Sequence, residues 1–280
     1  MEYPIIILHG WEATKKSYEQ LKPLLEQKGN SVVVFDLPGF GSEPAPSKEW
    51  SVDDYADWTL EWIGKNALSC YPERSGSEVK DLIDRDSSPS AQNDRKVNQN
   101  DRKEEGCEKF VLFGHSFGGR IAIKIAARQP KELAGLILCD AAGVTPRPKI
   151  KIALFNFLTK TGNAIFSLPL LNFLRPLVRK LVYWWSGDRD YYYLRGDVMR
   201  KTFRIVIEED LNQILPKINT PTLIIWGEKD KMTPLSDAHT LNEGIGGSLL
   251  EVLRGVGHNP HREVPEQLAA IIDKFIKELD

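Results

Sequence analysis

Apolar residues recur in short runs along this chain, and longer stretches of mixed apolar and polar residues separate the runs. The runs are rich in Ile, Val and Leu and are bounded by turn residues, which predicts strands buried on both faces. The stretches between them have the apolar spacing of helices. Strands that alternate with helices predict an α/β fold, with a mostly parallel sheet and helices on both faces. The six predicted strands lie at about residues 4–9, 31–36, 109–114, 133–139, 221–226 and 248–253.

A glycine-rich turn follows the third predicted strand. Residues 113–119 read FGHSFGG, which is a G-x-S-x-G frame between a strand and a helix. So tight a turn needs small residues around Ser116, and Gly114, Gly118 and Gly119 supply them. The pattern indicates a nucleophilic serine exposed at the carboxyl edge of the sheet. A glycine-rich turn with a capping serine is the alternative interpretation.

A nucleophilic serine needs a histidine as its base, and the histidine needs an orienting carboxylate. Asp230 comes after the fifth predicted strand, in the context GEKD, and His258 comes after the sixth, in the context GVGH. Because the carboxyl ends of parallel strands share one edge of the sheet, we expect both side chains to lie beside Ser116. Asp140, at the end of the fourth predicted strand, is the rival for the acid.

Four other histidines and one more aspartate lie in or near these motifs. His261 is predicted to be a surface residue at the start of a helix, and His239 a solvated residue in a polar helical stretch. His9 and His115 directly follow a strand or precede the nucleophile, and we expect them to be structural hydrogen-bonding groups. Asp36, after the second strand, is predicted to be a turn-forming residue.

The sequence motifs around Ser116, Asp230 and His258 occur together with HGW at residues 9–11 and DLPGFG at 36–41. In this order the five motifs resemble those of the alpha/beta-hydrolase superfamily, across nearly the whole chain except residues 69–106. HGW with DLPGFG is similar to the branch that contains pimeloyl-acyl-carrier-protein methyl ester esterase. The superfamily normally places an N-terminal hairpin beside the strand at 31–36. This chain has no residues for that hairpin, which predicts an open sheet edge that something must cover.

The resemblance has direct implications for the site. It implies an alpha/beta-hydrolase fold with a catalytic triad of Ser116, His258 and Asp230. It also implies an oxyanion hole formed by the backbone N–H groups of Trp11 and Phe117, for which side-chain identity is not critical. It implies no metal and no organic cofactor.

Two segments interrupt the core, which we expect to comprise residues 1–143 and 217–280. The first is 69–106, where the stretch from Glu73 to Glu105 holds seven Lys or Arg and nine Asp or Glu, with few large apolar side chains. Such a composition cannot bury enough surface to offset the entropy of ordering, which predicts a disordered or loosely packed loop. A partner-binding arm is the alternative.

The second segment is 144–216, which the resemblance identifies as a helical cap over the active site. Between Arg147 and Arg204 it holds twelve Lys or Arg against three Asp. An ordinary cap with a solvated basic side, a docking surface for an acidic carrier protein or anionic substrate, and a membrane-surface helix all remain possible. Its longest uncharged run, Thr161 to Leu174, has 14 residues, fewer than the roughly 20 that span a bilayer.

Composition narrows the function further. The chain has 280 residues, 41% of them hydrophobic, and a formal net charge of −2, which allows a sizeable core and gives no global electrostatic case for nucleic acid. Three scattered cysteines, Cys70, Cys107 and Cys139, lack metal spacing and fit a reducing cytoplasm better than a disulfide framework. The N-terminus reads as a first strand and offers no signal peptide or transmembrane segment.

These observations predict a cytoplasmic serine hydrolase that acts on carboxylic esters or lactones with an acyl part that fits an apolar cap pocket. Ser116 at the elbow excludes epoxide hydrolases and haloalkane dehalogenases of this fold, which use an aspartate there. Carbon–carbon bond hydrolysis, thioesterase activity and a cofactor-free peroxidase activity stay compatible with the same three residues. A non-catalytic ligand receptor is the alternative from a different class.

Overall fold

The computed structural model describes residues 3–67, 109–144 and 196–279. In this part of the chain six strands form one sheet in the order β2-β1-β3-β4-β5-β6, and every pairing is parallel. Each strand lies where the apolar runs predicted one, so the predicted α/β fold with a parallel sheet is confirmed. The strands are β1 (Ile5–Leu8), β2 (Val32–Val34), β3 (Phe110–His115), β4 (Leu133–Cys139), β5 (Thr222–Gly227) and β6 (Leu249–Leu253).

Helices fill the connections between the strands. Two short 3-10 helices, Lys15–Tyr18 and Asn212–Lys217, accompany the α-helices. The longest α-helix of the described residues, α2 (Val52–Asn66), begins with a capping box in which Ser51 and Asp54 bind each other's backbone N–H groups. The α-helices of the described residues are α1 (Leu21–Glu26), α2 (Val52–Asn66), α3 (Phe117–Ala127), α4 (Asp197–Glu208), α5 (Leu235–Gly244), α6 (Pro260–Glu263) and α7 (Pro265–Lys277).

The central strands of the sheet are buried on both faces, which explains why they are apolar at nearly every position. In β1, Ile6 and Leu8 face a core shared with α2, α3 and α5, whereas Ile5 and Ile7 face a core shared with α1 and α7. All four side chains have no exposed surface. Burial of such a side chain stabilises the fold by about 1.5–3 kcal/mol, so these two cores hold the helices against the two faces of the sheet.

The order of the strands positions the functional site. The chain passes from β1 outward to β2 and then returns to β3 on the other side of β1. The loops after β1 and β3 therefore leave neighbouring strands in opposite directions, and a crevice opens between them at the carboxyl edge of the sheet. A ligand site is expected at this crevice.

The edge strand β2 pairs with β1 and, among the described residues, with no further strand. Beyond its end, Phe35 stacks on Trp62 of α2 with ring centroids 3.8 Å apart, and Trp58 lies 5.9 Å away. This helix therefore covers part of the region next to the edge. The loop predicted at 69–106 lies outside the described residues.

Of the segment predicted as a cap, the structure describes residues 144 and 196–216. Helix α4 lies here and is attached to the core: Arg120 Nη1 donates to the carbonyl oxygen of Glu209 at 2.8 Å, and the Trp50 N–H donates to Thr202 Oγ1 at 3.0 Å. Its side chains Met199 and Phe203 are buried. The remainder of the segment, including most of its basic residues, lies outside the described residues.

Candidate active site

Ser116 stands in the turn between β3 and α3 with φ 52° and ψ −113°. This backbone region is rarely occupied by residues other than glycine and stores strain that the surrounding packing must hold. The glycines provide that packing: a Cβ on Gly118 would lie 2.8 Å from the carbonyl oxygen of His9, and one on Gly114 would lie 2.6 Å from that of Gly118. The predicted nucleophile elbow is therefore present in the geometry, with strand, serine and helix in contact.

The structure brings together the three residues that the sequence predicted for the triad. Ser116 Oγ donates to His258 Nε2 at 3.1 Å, and His258 Nδ1 donates to Asp230 Oδ2 at 2.6 Å. Asp230 is 7% exposed, whereas Ser116 and His258 are partly exposed. We call these three residues the candidate triad.

Several donors converge on the carboxylate of Asp230. The N–H groups of Met232 and Thr233 donate to Oδ1 at 2.7 and 3.1 Å, and Thr233 Oγ1 donates to Oδ2 at 2.6 Å. Burial alone would raise the pKa of Asp230, but the His258 ring and the Thr233 hydroxyl outweigh it and hold this pKa below its usual value. The acid is thus ionised and fixed in orientation. The sequence reasoning missed Thr233, although it lies only three residues after Asp230.

Two further side chains fix the loop that carries His258. His115 Nε2 donates to the carbonyl oxygen of His258 at 2.7 Å. Glu263 accepts the N–H groups on either side, from Gly257 at 2.8 Å and from Asn259 at 3.2 Å. Burial lowers the pKa of His115 well below its usual value, so this ring is neutral and its Nε2 carries the proton. His115 is therefore a structural group, as expected from the sequence.

Replacement of His115 tests this contact. We expect His115→Phe to lower the rate at which the candidate triad hydrolyses a p-nitrophenyl ester about fivefold, because one hydrogen bond of about 1 kcal/mol no longer holds the His258 loop. His115→Gln should recover most of that loss, since the glutamine amide N–H lies near the position of Nε2. Steady-state kinetics on a p-nitrophenyl ester measure both variants. Equal losses in the two variants would mean that ring packing, and not the hydrogen bond, is what matters.

His9 and Asp36 shape the loops beside the crevice. His9 Nδ1 donates to the carbonyl oxygen of the next residue at 2.8 Å, and its Nε2 accepts the N–H of Leu37 at 2.9 Å. Asp36 accepts the N–H groups of Lys15 and Ser42 at 2.8 and 3.0 Å. Both residues therefore order loops, in agreement with the structural roles expected from the sequence.

The prediction for His261 is wrong, because this residue is buried with 2% exposure. Its ring stacks on Tyr18 at a centroid distance of 4.7 Å and meets His115 edge-on at the same distance. Burial is the main cause that lowers the pKa of His261 to about 3. No pattern along the chain indicates this contact, since Tyr18 lies far away from His261 in the sequence. His239 is exposed, as predicted.

The two residues predicted to supply oxyanion donors lie in the turn after β1 and at the start of α3. Phe117 is the first residue of α3, where N–H groups have no partner within the helix. Trp11 lies in the turn after β1, and its ring is 4.9 Å from that of Phe117. A Cβ on Gly10 would lie 3.3 Å from Ser116 Cβ, which shows how closely this turn passes the serine. The assignment of the two N–H groups to an oxyanion hole stays a prediction.

Aromatic side chains line the region next to Ser116. The Trp11 ring packs against Phe40 at 4.9 Å and against Phe203 of α4 at 5.0 Å. The Trp11 Nε1–H is buried and has no hydrogen-bond partner among the described residues. The Trp11 ring, in the turn that passes beside Ser116, therefore has apolar surroundings toward α4.

Asp140, Asp230 and His258 each place one oxygen or ring nitrogen within 4.8 Å of the others, a grouping that by residue type could hold a cation. Their atoms are committed to protein partners instead. Asp230 Oδ2 and His258 Nδ1 are bound to each other, and the N–H of Gly227 donates to Asp140 Oδ1 at 2.9 Å. The geometry is that of a hydrogen-bonded acid and base.

The sequence model of the Alpha/beta hydrolase family matches residues 5–271. This chain belongs to that family. The AB hydrolase superfamily protein YisY of Bacillus subtilis is 26% identical to this alpha/beta hydrolase, over 97% of this chain and 91% of YisY. Membership supports a hydrolase activity and confirms the fold that the five motifs predicted.

Solved structures agree with this fold. An esterase from Exiguobacterium antarcticum superposes with a TM-score of 0.65 at 22% identity, over 98% of this chain and 92% of the esterase. A meta-cleavage product hydrolase from Pseudomonas fluorescens gives a TM-score of 0.61 at 19% identity, over 99% of this chain and 92% of that hydrolase. Within the described residues of this alpha/beta hydrolase, none of the helices combines the length and the apolarity needed to cross a membrane.

Proposed function

We propose that this protein is a serine hydrolase that cleaves carboxylic esters or lactones, with Ser116 as nucleophile, His258 as base and Asp230 as acid. One observation carries the proposal: an unbroken chain of two hydrogen bonds, of 3.1 and 2.6 Å, joins the serine hydroxyl to a buried carboxylate through the imidazole. Serine attacks an ester only when a base removes its proton, and His258, bound to the serine hydroxyl, is that base.

The reaction follows from the positions of these atoms. His258 Nε2 takes the proton of Ser116 as Oγ attacks the ester carbonyl carbon, and Asp230 stabilises the imidazolium that forms. The carbonyl oxygen becomes an oxyanion, which the N–H groups of Trp11 and Phe117 stabilise by about 3–4 kcal/mol each. The imidazolium then protonates the leaving alcohol. Water attacks the acyl-enzyme with the same proton transfers in reverse order and releases the acid.

The proposed substrate has an apolar acyl group, because the half-buried Trp11, in the turn that passes beside Ser116, packs against the aromatic rings of Phe40 and Phe203. Carbon–carbon hydrolysis and thioesterase activity would use the same triad and are the alternative proposals. A panel of p-nitrophenyl esters of graded chain length, acyl-homoserine lactones and acyl thioesters separates these substrates.

Two further proposals rest on the sequence alone. One is an acidic carrier protein that binds the basic cap, and the other is a cytoplasmic location.

Covalent labelling of the native protein with a fluorophosphonate tests the proposal without a guess about substrate. We expect the wild-type protein to be labelled and Ser116→Ala not to be, because the reagent needs an activated serine hydroxyl. Ser236→Ala, which removes an exposed serine of α5, is the matched control and should be labelled like the wild-type protein. Absence of labelling in the wild-type protein would favour the non-catalytic ligand-binding alternative.

A further inference from the structure

Asp140 occupies an unusual position at the end of β4. Its φ of 42° lies in the left-handed region, which asparagine and aspartate tolerate better than most residues. The side chain has no exposed surface. Its hydrogen-bond partners include the N–H of Gly227, at 2.9 Å from Oδ1, and the thiol of Cys139, at 3.6 Å from Oδ2. A buried carboxylate with so few strong donors is costly.

The carboxyl groups of Asp140 and Asp230 are close neighbours in the buried part of the site. A carboxyl oxygen of one lies within 4.8 Å of a carboxyl oxygen of the other. Two carboxylates are both acceptors, so a hydrogen bond between them requires that one carries a proton. Two negative charges so close in a buried site also repel each other strongly, which again favours one proton on the pair.

The donors around each group decide which one holds the proton. Asp230 accepts His258 Nδ1–H, the hydroxyl and N–H of Thr233 and the N–H of Met232, all within 3.1 Å. Each of these donors stabilises an ionised carboxylate. Asp140 has a backbone N–H and a weak thiol donor, and it is fully buried. The charge therefore belongs on Asp230 and the proton on Asp140.

We propose that Asp140 is protonated at neutral pH and donates a hydrogen bond to Asp230, which makes it a positioning residue of the candidate triad. The inference rests on the proposed function only for its consequence in catalysis. A neutral Asp140 adds a donor to Asp230 and leaves a single negative charge beside His258. An ionised Asp140 would place a second charge there, favour the imidazolium and leave less neutral imidazole to take the Ser116 proton.

The electrostatic surroundings agree with this geometry. Burial, followed by the charge of Asp230 and the hydrogen bond to it, raises the pKa of Asp140 to about 8 in spite of the Gly227 N–H. The other titratable groups that face it are Cys139 on its own strand and His258 on the loop after β6. Burial raises the pKa of the Cys139 thiol well above its usual value, so this group adds no charge.

The stability of Asp140→Asn as a function of pH tests the protonation, because asparagine is close in shape to a protonated aspartate, donates a hydrogen bond and suits the left-handed backbone. An unfolded aspartate loses its proton near pH 4, whereas the folded one keeps it to about 8. Between these values the native state binds the extra proton, so the wild-type protein loses stability as the pH rises. The ratio of unfolding constants, wild type to variant, should therefore increase about tenfold per pH unit from 5 to 7.5 and level off above about 8.

Asp36→Asn is the matched control, since Asp36 is buried but the N–H groups of Lys15 and Ser42 and the Ser42 hydroxyl overcome burial and lower its pKa. The ratio of unfolding constants, wild type to Asp36→Asn, should stay constant above pH 5. A constant ratio for Asp140→Asn as well would overturn the proposal, because it would mean that Asp140 is ionised in the native protein. If the variant fails to fold, the infrared carbonyl band of a protonated carboxyl in the wild-type protein decides: it should disappear as the pH rises through about 8.

The rate of fluorophosphonate labelling tests the effect on the triad. We expect the labelling rate of the wild-type protein to fall above about pH 8, where Asp140 loses its proton, whereas the rate of Asp140→Asn should stay on a plateau there. The same fall in both proteins would show that Asp140 does not act on the triad. Failure of the proposed function and failure of the Asp140 proposal give different results. Absence of labelling at every pH contradicts the hydrolase function, whereas the ratio of unfolding constants tests the protonation of Asp140 without any enzymatic activity.

Discussion

Replacement of Ser116 or His258 by alanine should lower kcat for ester hydrolysis about a million-fold, and Asp230→Asn should lower it about ten-thousand-fold. The reason is that the serine and the histidine act as one unit, joined by a hydrogen bond of 3.1 Å, so that loss of either removes the proton transfer altogether. Asp230→Asn keeps the shape of the acid but favours the wrong tautomer of His258. Steady-state kinetics on a p-nitrophenyl ester measure all three variants.

A double variant sharpens this test. If Ser116 and His258 work as a unit, Ser116→Ala combined with His258→Ala should be no slower than either single variant. Circular dichroism and thermal unfolding of each variant should show a folded protein, which excludes misfolding as the cause. Near wild-type activity in Asp230→Asn together with loss of activity in Asp140→Asn would assign the triad acid to Asp140.

Most of the fold could be predicted because its central strands are buried on both faces. Central strands such as β1 and β3 are then apolar at nearly every position, and no helix of similar length has this pattern in the described residues. Even the three-residue strand β2 was recognisable from Val32 to Val34, because β-branched residues cluster there between Asn30 and Asp36. The pattern also fixed the parallel direction, since helical stretches separate the strands.

The candidate triad could be predicted for a related reason. Ser116, Asp230 and His258 each follow a strand of a parallel sheet, and the carboxyl ends of such strands meet at one edge. What the sequence could not provide was contact through space. The polar neighbours of His261 along the chain predict a surface residue, yet Tyr18 covers it.

Asp140 illustrates the same limit more sharply. From the sequence it was a rival for the acid, because a carboxylate at the end of β4 also reaches the shared edge. The structure separates the two aspartates by their donors: Asp230 has the imidazole and Thr233, while Asp140 has a backbone N–H and a thiol. The number of donors at each carboxyl group depends on the folded backbone, and no spacing in the sequence encodes it.

Gly118→Ala should destabilise the protein by about 1–3 kcal/mol and lower kcat about a hundredfold. A Cβ at this position would overlap the carbonyl oxygen of Leu8 and lie 2.6 Å from its carbonyl carbon. Backbone atoms cannot move aside as a flexible side chain can, so β1 and α3 must separate. That movement displaces the turn that carries Trp11 relative to Ser116, and with it the proposed oxyanion donors.

Gly246→Ala is the matched control, because a Cβ on Gly246 meets nothing within 4 Å. We expect this variant to keep the wild-type kcat and to change the free energy of unfolding by no more than about 1 kcal/mol. Urea unfolding and ester kinetics on the three proteins give both quantities. If Gly118→Ala were as stable and as active as Gly246→Ala, the close contact between β1 and α3 would not be required to hold the elbow. A loss of stability without a loss of kcat would instead separate the packing of the elbow from the placement of the oxyanion donors.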